Sequence, residues 1–373
     1  GKPETVYPWT ELSRFEIETL ITENGVTEMD GLGYPLSDVF SKYDTVKDEV
    51  TLLVRCVFDD PWLAADYCLC KERAGVIGEG SLIAAKAAGA SRIVFAVSSS
   101  AKDLVDVLLD AANSSAAAAQ AAACAGAQFN ISAFLTGSRY PQQSDFELLS
   151  VFRRYKKAEN APTGVLTGAP AGGQTLILGP ATIAAVYDAV VLRTPPLERY
   201  VAVGGPAVMY PAVVKARIGS RLRDIFAECG GFRGRADSSA EPVFAATGSP
   251  LLGRAASLDE PILKTSRSVF AYAQKGGEAR GAAGKFFPML EKISKFLSAA
   301  VCIGCGECRN VCPAKLDPED IYKRIKDGKH DETMISLVAC CIGCGCCETV
   351  CPSKLPICTA ITRSSFRGAD CAG

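Results

Sequence analysis

The chain has 373 residues, of which 48% are hydrophobic and 22% charged, and its formal net charge is −1. This composition predicts a folded protein of two or three domains, and the near-neutral balance argues against nucleic acid as a partner. A single histidine argues against histidine-based catalysis, and no apolar run approaches the length of a membrane-spanning helix.

The first part of the chain alternates between predicted helices and strands. In order, these are a helix within 11–24, a strand at 50–57, a helix at 69–89, a strand at 93–97, a helix at 101–125 and a strand at 128–135. The two strands at 50–57 and 93–97 are continuous apolar runs, which is typical of buried parallel strands. The alternation predicts a three-layer α/β domain of Rossmann type, which we assign to residues 1–160.

Short elements with tight turns follow a linker rich in Pro, Gly and Ala. They are a strand and helix within 176–189, strands at 199–203 and 212–216, and a helix that ends at Gly230-Gly231. The last two strands and the last helix predict a small β-grasp module. Residues 232–282 show no clear periodicity and are predicted to be irregular. We assign 161–282 to linker strands plus this module.

Two segments near the end share the spacing C-x2-C-x2-C-x3-C-P. The first runs from Cys302 to Pro313 and the second from Cys341 to Pro352. This is the bacterial-ferredoxin spacing for [4Fe–4S] ligands, and the intervening glycines allow backbone N–H groups to approach the cluster sulfides. A helix is predicted near 318–325 between the two segments. Residues 283–373 are therefore predicted to form a helical two-cluster ferredoxin domain.

The fourth cysteine of each run ligates the other cluster in two-cluster proteins of this kind. One predicted ligand set is therefore Cys302, Cys305, Cys308 and Cys351. The other predicted set is Cys341, Cys344, Cys347 and Cys312. A pair of zinc sites or a disulfide framework is the alternative, but it does not explain why this spacing, closed by proline, occurs twice. The other nine of the 17 cysteines share no spacing and are predicted to be buried thiols in a reducing cytoplasm.

This order of modules resembles the C subunit of the Rnf-type ion-translocating oxidoreductase. The same core is similar to the flavin-carrying, NADH-binding subunit of complex I and to cobalamin reductases of the propanediol-utilisation type. Residues 199–231 follow the text of that family's β-grasp (SLBB) module, and Cys351-Pro-Ser-Lys-Leu-Pro356 is similar to its closing CPSKIP. Relative to those Rnf-type proteins, we expect the usual N-terminal barrel-like domain to be absent.

The resemblance implies an FMN site formed by three stretches, and all three differ here. The glycine loop, GMGGATFPT in the family, reads Gly31-Leu-Gly33-Tyr-Pro. In the second stretch, N-x-A-E-x-E-P in the family, Arg55 and Phe58 replace Asn and the first Glu, while Asp60 keeps its chemistry. The remaining candidates for FMN contacts are therefore Gly31, Gly33 and Asp60.

The third stretch, YPQGGEKQL in the family, begins here at Tyr140. Gln143-Ser144 replaces its Gly-Gly, and Phe146 replaces its Lys. Phe58 and Phe146 are predicted to fill the space of the cofactor. The three changes together argue against a working FMN and NADH site.

These observations favour an electron-transfer subunit of a membrane-associated Rnf-like complex, with two [4Fe–4S] clusters and a lost or altered FMN/NADH site. Its predicted partners are the other subunits of that complex and a ferredoxin- or flavodoxin-like carrier. We expect it in the cytoplasm, held at the inner membrane through its partners. The alternatives are an FMN-dependent subunit that takes electrons from NADH, and a cobalamin-reductase-like flavo-iron–sulfur protein.

Overall fold

The computed structural model describes residues 7–31, 33–43, 49–60, 64–122, 129–159, 174–233, 243–249, 251, 253–273, 301–328 and 331–369. The chain divides into two compact units. The first comprises Gly1–Gly204, Met209–Gly231 and Leu258–Val269, and the second comprises Gly205–Val208, Phe232–Ser257 and Phe270–Gly373. Residues 283–300, which begin the predicted ferredoxin domain, lie outside the described ranges.

The first unit is organised around a parallel sheet of four strands. They are β1 (Val50–Cys56), β2 (Arg92–Ser98), β3 (Asn130–Thr136) and β4 (Gln174–Leu178), in the order β3-β2-β1-β4. Both faces of the sheet are covered, because Leu52 and Val54 belong to one buried cluster while Leu53 belongs to another. This double burial explains why β1 and β2 are apolar at almost every position.

Helices on the two faces complete the predicted three-layer α/β arrangement. They are α1 (Arg14–Glu23), α2 (Leu36–Phe40), α3 (Ala64–Glu72), α4 (Ala74–Ala88), α5 (Asp103–Ala122), α6 (Asp145–Glu159) and α7 (Pro180–Val191). The single helix predicted at 69–89 is in fact the pair α3 and α4. The chain breaks at Arg73, where φ is −120° and ψ is 38°, and the Arg73 guanidinium pairs with Asp188 of α7 at 2.7 Å.

The boundary predicted at residue 160 divides this sheet. β4 lies beyond that boundary, yet it pairs with β1 in parallel register, with Val54 opposite Leu178. The α7 helix that follows β4 contributes Ile183 and Val186 to the same buried cluster as Leu52. A strand can join a parallel sheet at a distance in sequence because its partners are fixed by the crossover connection, which local patterns do not reveal.

A second sheet contains five short strands. They are β5 (Glu198–Gly204), β6 (Ala212–Arg217), β7 (Val243–Thr247), β8 (Arg254–Ala256) and β9 (Ser268–Ala273), in the order β6-β5-β9-β7-β8. The antiparallel pair β5–β6 and the helix α8 (Leu222–Glu228) match the predicted β-grasp elements. The prediction that 232–282 is irregular was wrong, because β7, β8 and β9 lie there. These strands are three to six residues long, too short for a reliable period-2 signal.

The described residues between 301 and 369 form helices and turns without a strand. The helices are α9 (Glu307–Asn310), α10 (Pro318–Lys326), α11 (Glu332–Ala339), α12 (Cys346–Thr349) and α13 (Ile357–Ala369). Asp317 and Asp331 cap α10 and α11 by accepting hydrogen bonds from backbone N–H groups of the first turn. The predicted helical character of this tail is confirmed.

Candidate functional site

Two cavities in the helical tail bring the predicted cluster ligands together. The first cavity is lined by Cys302, Cys305, Cys308 and Cys351. The second cavity is lined by Cys312, Cys341, Cys344 and Cys347. Each cavity thus takes three cysteines from one run and the fourth from the other run. The predicted ligand sets depend on this exchange of the fourth cysteine between the two runs.

Glycines let each run turn around its cavity. Gly304 and Gly306 have φ values of +69° and +73°, and Gly343 and Gly345 have values of +64° and +76°. Side chains with a Cβ rarely adopt this left-handed backbone, so glycine is required at each of these turns. The one-turn helices α9 and α12 start directly after the second glycine, and they carry Cys308 and Cys347 at the cavity walls.

The two halves of the tail are repeats with an offset of 39 residues, the distance from Cys302 to Cys341. The offset also relates the walls of the cavities beyond the cysteines. Ile303 and Leu355 line the first cavity, and their counterparts Ile342 and Leu316 line the second. The offset further relates Glu319, which lines the first cavity, to Cys358, which lines the second.

The chemistry of these walls fits a [4Fe–4S] cluster. Most of the remaining lining residues are apolar, so the thiols are the main potential ligands. Among the described residues, no three His, Cys, Asp or Glu side chains converge as the ligands of a single metal ion do. Four thiols spaced around a cavity instead suit the four iron corners of one cluster.

The thiols depend on iron to become thiolates. Burial raises the pKa of Cys308 and of Cys312 above that of an ordinary thiol. A hydrogen bond with Cys358 and burial raise the pKa of Cys341 well above the ordinary range. A bound metal reverses this by supplying the positive charge that stabilises a coordinating thiolate.

Two further side chains at the cavities differ in charge. A hydrogen bond from Lys323 lowers the pKa of Glu319, so this carboxylate of the first cavity is ionised at neutral pH. The hydrogen bond with Cys341 lowers the pKa of Cys358 in the second cavity, but a hydrogen bond with Cys347 and burial bring it to about 12. Sequence analysis missed both residues, although the 39-residue offset between the runs relates them.

The α/β unit holds the three stretches that the family resemblance connects with FMN. The glycine loop closes on itself, because the Glu28 N–H donates to the Tyr34 carbonyl at 2.9 Å and Thr27 pairs with Pro35. A Cβ atom on Gly31 would lie only 2.2 Å from Oε1 of Glu28. An acidic side chain therefore lies beside this glycine, which would repel an anion such as a phosphate. Gly33 has a φ of +81° and serves the turn itself.

Arg55 joins all three stretches. Its Nη2 donates to the carbonyl of Asp30 in the glycine loop at 3.1 Å. Its Nη1 donates to the carbonyl of Gln143 at 3.3 Å and to Oδ1 of Asp145 at 2.6 Å, both in the third stretch. Only 11% of the Arg55 side chain is exposed. The guanidinium therefore lies among the segments between which the family's cofactor would be held.

A second set of contacts surrounds Arg267. Its guanidinium pairs with the buried Asp66 and donates to Oε1 of Gln143 at 3.3 Å. The Gln143 N–H in turn donates to Oδ2 of Asp59 at 2.9 Å. Burial opposes the charge of Arg267, but Asp66 and Asp30 raise its pKa above the usual value. Asp60, a candidate FMN residue, is 6% exposed and lies within electrostatic reach of Arg267.

The third set of contacts is a buried ion pair between Arg199 and Asp30. Arg199 of β5 and Asp30 are 3% and 7% exposed, and Nη2 of Arg199 lies 3.8 Å from Oδ1 of Asp30. Oδ2 of Asp30 accepts hydrogen bonds from the backbone N–H and the hydroxyl of Thr182 at 3.1 and 2.9 Å. Nη1 of Arg199 donates to the carbonyls of Met29 and Lys264. Burial lowers the pKa of Arg199, and Asp30 opposes that shift.

The prediction that Phe146 fills the cofactor space was wrong. Phe146 is 50% exposed at the start of α6, because helical spacing turns Leu148 and Phe152 towards the sheet instead. Phe58 is partly buried and packs edge-to-face on Tyr67, with ring centroids 5.8 Å apart. The residue that occupies the junction of the three stretches is Arg55. We call Asp30, Arg55, Asp59, Gln143, Arg199 and Arg267, with their partners Asp66, Asp145 and Thr182, the polar network.

Three family models match the chain. They are the Nuo51 FMN-binding domain at residues 21–188, the SLBB domain at residues 200–244 and the 4Fe-4S dicluster domain at residues 298–355. They confirm the predicted succession of an α/β domain, a β-grasp module and a two-cluster ferredoxin domain. The chain carries a domain for two [4Fe–4S] clusters, and the FMN-binding family keeps FMN as a candidate cofactor.

Three curated relatives of the chain are C subunits of ion-translocating oxidoreductase complexes. The chain is 26% identical to that of the proton-translocating ferredoxin:NAD(+) oxidoreductase complex of Clostridium ljungdahlii, over 86% of this chain and 62% of that protein. It is 23% identical to the C subunit of the Na(+)-translocating ferredoxin:NAD(+) oxidoreductase complex of Acetobacterium woodii, over 70% of this chain and 50% of that protein. It is 28% identical to the C subunit of the ion-translocating oxidoreductase complex of Pseudomonas aeruginosa, over 87% of this chain and 38% of that protein.

The chain is a divergent relative of these Rnf-type proteins. It spans about half the length of the curated relatives that it matches. Its fold is similar to that of a chain in the crystal structure of the NAD+-reducing [NiFe]-hydrogenase, with a TM-score of 0.61, 16% identity, and coverage of 97% of this chain and 62% of that chain. None of the helices in the described part of this Rnf-type relative has the length and hydropathy of a membrane span.

Proposed function

We propose that this Rnf-type relative carries single electrons through two [4Fe–4S] clusters within an ion-translocating oxidoreductase complex. The observation that supports this function best is the pair of cavities, each lined by four cysteines exchanged between the two runs. A [4Fe–4S] cluster supplies a site that accepts and releases one electron. The protein supplies the thiolates, an apolar wall, and the charges and hydrogen bonds that adjust each site.

In this proposal the ligands of one cluster are Cys302, Cys305, Cys308 and Cys351. The ligands of the other are Cys341, Cys344, Cys347 and Cys312. The partners are the other subunits of the complex, through which the chain is held at the inner membrane. A one-electron carrier protein of the ferredoxin or flavodoxin class delivers or removes electrons.

We further propose that the α/β unit does not use FMN or NADH. Arg55 supports this, because its guanidinium bonds to the glycine loop and to the third stretch at once. An isoalloxazine ring placed between those stretches would have to displace a charged group from three oxygen partners.

One competing function has an observation in its favour. The match of residues 21–188 to the Nuo51 FMN-binding domain favours an FMN-dependent subunit that accepts electrons from NADH. In that case Gly31, Gly33 and Asp60 would contact the flavin. The Glu28 carboxylate beside Gly31 and the electrostatic attraction between Arg267 and Asp60 argue against this function.

The first experiment is anaerobic purification with measurement of iron, acid-labile sulfide and flavin, followed by titration with NADH. We expect about eight irons per chain, the content of two clusters, no flavin, and no bleaching by NADH. A stoichiometric flavin that NADH reduces would establish the competing function. An iron content well below eight would contradict the cluster assignment itself.

The role of Arg55 is tested by titrating FMN into the wild-type chain and an Arg55→Asn variant, with Arg154→Asn on the exposed side of α6 as the control. We expect no saturable binding to the wild type or the control. Binding gained only by Arg55→Asn would identify the guanidinium as the barrier. Equal, tight binding by all three proteins would show that Arg55 does not close the site.

A further inference from the structure

The walls of the two cavities differ at one position in a way that changes their charge. The cysteines, Ile303 and Leu355 of the first cavity have Cys, Ile and Leu counterparts in the second. Glu319 of the first cavity instead corresponds to Cys358 of the second, again at an offset of 39 residues. A carboxylate therefore stands where the other repeat has a thiol.

Glu319 lies in the first turn of α10, and its side chain is only 13% exposed. One carboxylate oxygen lies 2.6 Å from Nζ of Lys323, a partner that keeps the carboxylate charged. The same side chain lines the first cavity together with Cys302. Glu319 therefore adds a negative charge at the wall of the first cavity. Lys323 offsets part of that charge from a more exposed position.

Cys358 lies in the first turn of α13 and is 3% exposed. Its thiol lines the second cavity together with Cys341 and Cys347, two of the four proposed ligands there. A fifth thiolate among these ligands would be opposed by their negative charge. Cys358 is therefore placed to donate its S–H proton to a ligand sulfur.

The neighbouring charged residues do not cancel this difference. Arg309, beside the first cavity in sequence, pairs with Asp317. Its counterpart Glu348 accepts hydrogen bonds from the N–H and the hydroxyl of Thr359 at 3.1 and 3.2 Å. Neither Arg309 nor Glu348 lines a cavity. At another related position, Glu307 of the first run corresponds to Cys346 of the second, so the same contrast of carboxylate and thiol occurs twice.

We propose that Glu319 and Cys358 give the two clusters unequal reduction potentials, low in the first cavity and high in the second. A nearby negative charge disfavours an added electron, whereas a hydrogen bond donated to a ligand sulfur stabilises the reduced cluster. Electrons then run from the first cavity to the second. This inference rests on the proposed function, because it requires both clusters to be bound.

The transfer balances without further chemistry. The site of Cys302, Cys305, Cys308 and Cys351 loses one electron, and the site of Cys341, Cys344, Cys347 and Cys312 gains it. No bond forms or breaks, and no proton moves. The electron is supplied to the first cavity by the one-electron carrier protein of the proposed function.

The test is a redox titration of the cluster-loaded full chain, followed by electron paramagnetic resonance, on the wild type and two variants. We expect two resolved potentials in the wild type. Glu319→Gln should raise the lower one and Cys358→Ala should lower the higher one. Each change should alter the equilibrium between the clusters by about tenfold, which is about 59 mV for one electron. Lys323→Met should shift the lower potential in the opposite direction to Glu319→Gln.

Controls for charge and for thiol content are available in the same tail. Glu332→Gln removes an exposed carboxylate at the start of α11, and Cys340→Ala removes an exposed thiol. Both should leave the two potentials and the iron content unchanged. Lys323→Met also provides an independent reading if Glu319→Gln does not fold.

The proposal would be overturned if Glu319→Gln shifted the higher potential, if Cys358→Ala shifted the lower one, or if neither variant moved a potential. Loss of iron in Cys358→Ala would also overturn it, because Cys358 would then be a ligand. These outcomes differ from failure of the proposed function, which would appear as iron well below eight in the wild type.

Discussion

The polar network of the α/β unit and the two cavities of the tail differ in what lies at the place of a cofactor. In the α/β unit, charged side chains such as Arg55 and Arg199 bond to the segments that hold FMN in the family. In the tail, thiols surround two cavities and leave the space between them free. In our proposal, the α/β fold persists without a working FMN site because its buried charges have partners.

The same difference determines what each region needs in order to be stable. In the polar network, Arg199 pairs with Asp30 and Arg267 pairs with Asp66, so removing one partner would leave the other as an unpaired buried charge. The tail has a small buried core that includes Cys308, Cys347 and Cys351. Because the cluster ligands are part of that core, binding of the clusters and folding of the tail are expected to be coupled.

The largest expected effect is on the clusters. Cys351→Ala should lower the iron content from about eight to about four per chain, because a cluster with three cysteine ligands is readily lost. Its paramagnetic spectrum should match that of Cys302→Ala and differ from that of Cys341→Ala, since Cys351 lines the cavity of Cys302. Cys340→Ala, at an exposed thiol, is the control. A spectrum like that of Cys341→Ala would refute the exchange of the fourth cysteines.

The second-largest expected effect is a loss of stability when the ion pair between Arg199 and Asp30 is broken. Arg199→Met should lower the free energy of unfolding of the α/β unit by about 3–5 kcal/mol, because it leaves Asp30 as a buried, unpaired charge. Both tryptophans, Trp9 and Trp62, precede β2 in the chain, so their fluorescence during urea unfolding reports on this unit. Arg217→Met, at an exposed position of β6, should have almost no effect.

A double-mutant cycle sharpens this measurement. Adding Asp30→Asn to Arg199→Met should cost less than the sum of the two single changes, because the neutral amide no longer needs the guanidinium. Additive effects would show that the 3.8 Å contact between the two side chains contributes nothing measurable.

The smallest expected effect is a dependence on pH. Burial raises the pKa of Asp59 above its ordinary value of 3.8, outweighing the hydrogen bond from Gln143. The folded state therefore holds this proton to a higher pH than the unfolded state, and Asp59 costs stability as pH rises through that interval. Asp59→Asn, which keeps an acceptor for the Gln143 N–H, should remove this cost, on the order of 1 kcal/mol or less.

The measurement for Asp59 is the difference in unfolding free energy between the variant and the wild type at pH 4 and at pH 7. The variant should gain relative stability at the higher pH. Asp38→Asn, at an exposed carboxylate of α2, is the matched control and should show no such gain. A difference that does not change with pH would contradict the proposed burial cost.

Much of the fold could be predicted because local sequence patterns indicate its strands and helices. β1 and β2 are continuous apolar runs, since a parallel sheet buries both of its faces. The helical tail follows from the length between the two cysteine runs and from the pattern of α10. By contrast, β7, β8 and β9 were missed, because strands of three to six residues carry too little periodicity.

The arrangement of the three FMN-related stretches was predicted only in part. The loss of family residues at Arg55, Phe58 and Phe146 could be observed in the sequence, but not which of the three lies between the stretches. Phe146 points outwards because of its place on α6, whereas Arg55 at the carboxyl end of β1 reaches Asp30 and Asp145. Arg199 meets Asp30 across 169 positions of the chain, from 30 to 199, and no short motif marks that contact.

The sequence by itself determined the cofactor class, because a cluster is bound by cysteines whose spacing is local. It also determined the repeat of 39 residues that relates the two runs. The pattern of the runs also predicted that Cys351 joins Cys302. Only the tertiary structure decided that Glu319 faces one cavity while Cys358 faces the other. The physical reason is that spacing within a run fixes which atoms bind iron, whereas the charges that adjust each site come from helices that pack there from elsewhere in the chain.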